Sequence, residues 1–140
     1  MGLAERLEAL GRELGEREAS HAEGRQAARS RAEALREQVA DALSRFDAAA
    51  TRAGADFLAP QVSAVRVDDK HVRSYQLELF RGRHRAIITV KSRGEVTLVG
   101  PFRVGKSEGP CRSFPLAPSD EFEEALASFL VSFVEDAATP

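Results

Sequence analysis

Cysteine occurs once, at Cys111, so no disulfide can form within the chain, and a reducing compartment fits. Proline is missing from residues 1–53, which hold a single aromatic (Phe46) and a single valine (Val39). Nothing there favours strand or interrupts a helix by removing a backbone donor. Long apolar runs are missing too. The longest, Ala125 to Val134, is broken by Ser128 and Ser132 and is too short to span a bilayer. The opening MGLAERLEAL lacks the apolar stretch of a signal peptide, and Arg6 spoils a myristoylation match after Gly2. The expectation is a cytoplasmic chain with no membrane partner. Charge of one sign is not in excess: the net charge of −2 gives no global reason to expect nucleic acid or an acidic membrane. His21, His71 and His84 are scattered, and two neighbouring histidines without a third ligand make a poor metal site, so no metal or cofactor is expected.

What is present divides near Gly54. Ala, Arg and Glu fill 31 of the first 53 positions, after which Val, Phe, Gly and Pro take over. The 140 residues allow one domain with an extension, expected as a helical, coiled-coil-like 1–53 and a small α+β domain over 54–140. Leu3, Leu7, Leu10 and Leu14 alternate by four and three residues, a heptad seam. The spacing resumes as Ala28, Ala32, Leu35, Val39, Ala42, Phe46 and Ala50, one position out of phase, as in a stutter or in two separate helices. Acid-first pairs such as Glu13/Arg17 and Asp41/Arg45 each support a helix by a few tenths of a kcal/mol. Between Glu18 and Arg31 no large apolar side chain appears, and Gly24 sits inside that stretch. One long, interrupted helix is expected, with a hairpin broken near Gly24 as the alternative. The stripe is narrow, so this helix needs cover from a second copy or from the chain's own sheet.

Beyond Gly54, Phe57 and Leu58 are available as a plug between the two parts. Four strand-like runs follow: Val62–Val67, Val72–Arg81, His84–Lys91 and Glu95–Val104, separated by breaks short enough for hairpins. The expected sheet is a four-stranded antiparallel meander with one apolar face and one mostly polar face. Gly105 to Pro118 is expected as loop. Ser119 or Asp120 then caps a C-terminal helix whose stripe, Phe122, Leu126, Phe129, Leu130 and Phe133, is the natural cover for the sheet.

Gly100-Pro-Phe-Arg-Val-Gly105-Lys106-Ser107 fits the phosphate-loop pattern G-x-x-x-x-G-K-S. That chemistry needs a helix N-terminus at Lys106-Ser107, in a parallel-stranded fold. Here Glu108-Gly109-Pro110 follows, and the preceding strand belongs to a meander. Nucleotide binding over Gly100–Ser107 is therefore the disfavoured reading. Residues 61–113 carry 11 basic and 5 acidic side chains, whereas residues 114–140 carry 6 acidic and no basic ones. Arg81, Arg83, Arg85, Arg93, Arg103 and Lys106 could form an anion-binding rim, and nucleic acid is then a partner. The competing explanation is neutralisation by the acidic C-terminal segment. Cys111, with no base beside it in sequence, reads as an inert thiol.

The leading expectation is a non-enzymatic protein–protein association module. It would be a homodimer, or dock an unidentified protein, through the N-terminal helix. Leu3, Leu7, Leu10, Leu14, Leu35, Val39 and Phe46 are the candidate contact residues, and no catalytic residue is assigned.

Overall fold

The computed structural model describes residues 2–68, 74–105 and 109–139. Helix α1 (Leu3–Ser20) leads into α2 (Ala22–Arg52); strands β1 (Gln61–Val62), β2 (Arg66–Val67), β3 (Ser74–Arg81), β4 (His84–Lys91), β5 (Glu95–Arg103) and β6 (Cys111–Pro115) follow, and α3 (Asp120–Ala138) closes the chain. The class is the α+β arrangement that the periodicities predict, with a long N-terminal helix, an antiparallel sheet and a C-terminal helix against it.

The sheet order is β1-β3-β4-β5-β6, with β2 also pairing with β3, and every pairing is antiparallel. It is larger than a four-stranded meander in two ways. The run Val62–Val67 splits into β1 and β2: the Ser63 N–H still donates to the Glu78 carbonyl (2.8 Å), but its Oγ rather than its carbonyl accepts from the Glu78 N–H (2.9 Å), and the pairing resumes at Arg66↔Gln76 with one extra residue in the outer strand. Cys111–Pro115, expected as loop, pairs with β5 from Val99↔Cys111 to Glu95↔Pro115.

One break interrupts the N-terminal helix, at His21, whose φ and ψ of −93° and 0° stay in the right-handed helical region. The Arg25 N–H still donates to the His21 carbonyl (3.0 Å), and the Arg25 guanidinium reaches back to the Glu18 carboxylate (3.0 Å) and carbonyl (3.2 Å). The chain passes through that residue in the right-handed helical region and does not fold into a hairpin. Gly24 has a different role from a hinge: a Cβ built on it would lie 2.7 Å from the Ser92 carbonyl oxygen of the β4–β5 turn. Its missing side chain lets α2 touch that turn. At the other end Gly54 adopts φ +107°, and Ala55 N–H bonds the Ala50 carbonyl at 2.9 Å, a Schellman closure of α2.

Both α2 and α3 cover the same face of the sheet. Ala28, Ala32, Leu35, Val39 and Leu43 from α2 share one core with Leu77, Leu79, Ala86, Ile88, Val90, Val96, Leu98 and Phe114 of the sheet, and with Phe122, Leu126, Phe129, Phe133 and Ala137 of α3. At roughly 1.5–3 kcal/mol for each large apolar side chain fully buried, Leu35 and Val39 alone contribute several kcal/mol before entropy is counted. Composition changes at Gly54, but packing does not. The helices also touch each other, through Gln38 Nε2 donating to Glu123 Oε2 (2.7 Å) and the Arg31 guanidinium over the Phe122 ring (5.2 Å). Ser119 caps α3, its Oγ accepting from the Phe122 N–H at 3.1 Å. Arg81 closes the other end of α3 at the Ala137 carbonyl and also holds the Phe57 carbonyl (2.9 Å). The Phe57 ring itself is 67 % exposed, so the linker is pinned by its backbone and not by an aromatic plug.

Gly24→Ala tests the approach of α2 to the β4–β5 turn. Helix propensity alone favours Ala by about 1 kcal/mol. A Cβ pressed on a backbone carbonyl costs about 1–3 kcal/mol, the usual range for overpacking. The variant is expected to unfold at lower urea than the parent; a higher midpoint would show that the turn yields freely.

Candidate association surface

Leu3, Leu7, Leu10 and Leu14 lie on α1 at heptad spacing, and their relative exposures are 76 %, 57 %, 47 % and 44 %. Every residue from Leu3 to Ser20 is exposed, and none of α1 is buried. At ~1.5 Å per residue, α1 overhangs the packed unit by about 27 Å. Its surface is otherwise polar, with Glu13 and Arg17 paired at 3.2 Å.

The other expected contact residues are used within the chain. Leu35 and Val39 are fully buried against the sheet, and Phe46 is half-buried near the end of α2. The spacing of Leu35 and Val39 is that of a seam, but its cover is β3 and β4. Of the seven expected contact residues, the four leucines of α1 are the exposed ones.

The face of the sheet away from the helices carries ion pairs and hydroxyls in cross-strand rows. Glu78 pairs with Arg66 (2.8 Å) and Arg85 (3.0 Å), and Arg85 also lies over the Phe80 ring (5.7 Å). Ile87 and Val99 sit opposite each other, half-buried, between Glu78 and Cys111. Further along, Thr97 Oγ1 and Ser113 Oγ are 2.9 Å apart beside Glu95, which also faces Arg93 (3.1 Å) and Lys91 (3.9 Å). The hydrogen bond from Ser113 is the main reason that the Glu95 carboxyl is held below its ordinary value of 4.5; burial opposes it, and Lys91 and then Arg93 add to the lowering.

These pairings bear on the basic rim. Arg81 is committed to the carbonyls of Phe57 and Ala137, Arg85 to Glu78, and Arg93 to Glu95. Arg83 and Arg103 are exposed and adjacent, since the Val104 N–H bonds the Arg83 carbonyl (2.8 Å) and His84 pairs with Arg103. Lys106 and Ser107, like His71, lie outside the described residues. The first glycine of the phosphate-loop pattern has a structural use. Gly100, at φ +113°, forms a bulge in β5 where a Cβ would meet the Ala86 Cα at 3.2 Å. The next described element is β6, an edge strand, where the phosphate-loop pattern calls for a helix N-terminus. They also contain no group of three or more side chains able to hold a metal ion, and no helix is long and apolar enough to cross a membrane. Cys111 is exposed on β6.

No family model, curated protein or solved structure matches this chain.

Glu95 makes acid stability a readout of the polar face. Because its folded-state pKa is depressed, its contribution is present above the ordinary value and lost as pH falls through the folded value. Urea midpoints compared between pH 3 and pH 7 are expected to depend less on pH in Glu95→Gln than in the parent. Identical acid limbs in the two proteins would remove this role.

Proposed function

We propose that this chain is a non-enzymatic association module that pairs with a second copy through α1, the two-helix and sheet unit serving as its folded body. One observation carries the reading: four leucines at heptad spacing stand exposed on a helix that buries nothing within its own chain. An isolated helix of this length is marginal in water, so a stable α1 calls for cover. Burying each leucine is worth roughly 1.5–3 kcal/mol, and a symmetric pair buries eight. The remainder of the α1 surface is charged and suits the rim of such a contact.

The nucleic-acid reading is weaker, because its candidate arginines mostly have partners. Among the described residues, Arg83 and Arg103 would make a small phosphate contact.

Sedimentation equilibrium of the full chain is expected to show a reversible dimer. The double variant Leu7→Lys/Leu10→Lys is expected to be monomeric with an unchanged thermal midpoint for the body, since neither side chain is buried there. A parent that stays monomeric at high micromolar concentration would defeat the proposal. A truncation beginning at Ala55 is not a suitable control, because it removes Leu35, Val39 and Leu43 from the core.

A further inference from the structure

We infer that the two copies of α1 pair antiparallel, in the register that sets Leu3 against Leu14 and Leu7 against Leu10 of the other copy; this rests on the self-association proposed above. Two independent observations point the same way.

The first is charge. With Leu3 and Leu10 at heptad position d and Leu7 and Leu14 at position a, Arg6 and Glu13 fall at g, while Ala4, Gly11 and Glu18 fall at e. In antiparallel pairs, g flanks g and e flanks e. Each Arg6 then faces Glu13 of the other copy, giving two opposite-charge pairs by symmetry. The other flank sets Ala4 against Gly11, small residues that let the helices approach. Gly11 is not demanded by the chain's own packing, since a Cβ added there meets nothing within 4 Å. In a parallel in-register pair, g flanks e. Arg6 then faces Gly11 and gains nothing, and Glu13 faces Glu18 twice, with like charges together.

The second is space. Counted at about 100° per residue straight through the single turn at His21, the mean direction of Leu3, Leu7, Leu10 and Leu14 agrees within about 20° with that of Ala28, Ala32, Leu35 and Val39. The leucine seam therefore lies on the side of the helix that the sheet occupies further along. A parallel partner would have to run its own α2 through that sheet. In the antiparallel register the partner's Gly2 lies opposite Gly15. It ends about 13 Å short of Gly24, where the β4–β5 turn first meets α2. The two bodies then sit at opposite ends of a short two-helix rod.

Sedimentation equilibrium on four full-length proteins tests this: the parent, Arg6→Glu, Glu13→Arg, and the double swap Arg6→Glu/Glu13→Arg. Each single change is expected to weaken dimerisation about tenfold, because two pairs turn repulsive at once, and the double swap is expected to recover the parent value within about threefold. Far-UV circular dichroism of the single variants checks that loss of the Glu13–Arg17 pair has not unfolded α1. Tighter dimerisation by Glu13→Arg would mean that Glu13 faces Glu18, and would overturn the antiparallel register while leaving self-association intact. Four equal constants would overturn the charge pairing. A monomeric parent would instead remove the self-association on which the register rests.

Discussion

Leu35 and Val39 press from α2 onto the same sheet face that Phe122 and Phe133 reach from α3, and all four are essentially out of water. Most of the sheet's large apolar residues, Leu77, Leu79, Ile88, Val90, Val96 and Leu98 among them, point to that face, and the two helices side by side bury them. Once α2 is held there, its N-terminal continuation has nowhere to pack. The sheet ends where the β4–β5 turn meets Gly24, and the chain from Ser20 back to Leu3 runs on into solvent. The exposed seam is thus a consequence of how the core is filled, and the proposal of a second copy rests on it.

Covering one face twice leaves the other face open. It carries Glu78 between Arg66 and Arg85, and Glu95 between Lys91 and Arg93, with Thr97 and Ser113 sharing a hydroxyl contact. Opposite charges in adjacent rows hold that surface in register and keep its two aliphatic side chains, Ile87 and Val99, half-buried. Among the described residues, four of the sheet's basic side chains, Arg66, Arg85, Lys91 and Arg93, thus face carboxylates of the sheet itself. Two more reach the C-terminal helix, Arg112 at Glu121 (3.2 Å) and Arg81 at the helix end.

Much of the fold was legible because periodicity reports burial. Phe122, Leu126, Phe129 and Phe133 at helical spacing, and Leu77, Leu79, Ile88 and Val90 at alternate positions, announced the elements and their apolar sides. The β6 strand was hidden because Gly109 and Pro110 precede it, Pro115 ends it, and its five residues hold one large apolar side chain, Phe114. Gly24 read as a weak point in a helix, since sequence shows what a glycine costs and not which backbone it lets close. The hardest distinction lay in the N-terminal helix. Leu10/Leu14 and Leu35/Val39 carry the same spacing of four, and a seam states only that it needs cover. Which one is covered by the chain's own sheet depends on where that sheet ends, a tertiary fact absent from the local pattern. The basic residues were misleading for a similar reason, because counting them reveals nothing about the carboxylates and carbonyls that face them.

The central claim, that the α1 seam is covered by another copy while the α2 stripe is covered by the chain itself, has one direct test. Amide hydrogen exchange read residue by residue across a hundredfold range of protein concentration separates the two. Amides from Leu7 to Leu14 are expected to gain protection as concentration rises, while those from Leu35 to Leu43 stay equally protected throughout. Protection of Leu7 to Leu14 that is absent at every concentration, or independent of concentration, would contradict the account.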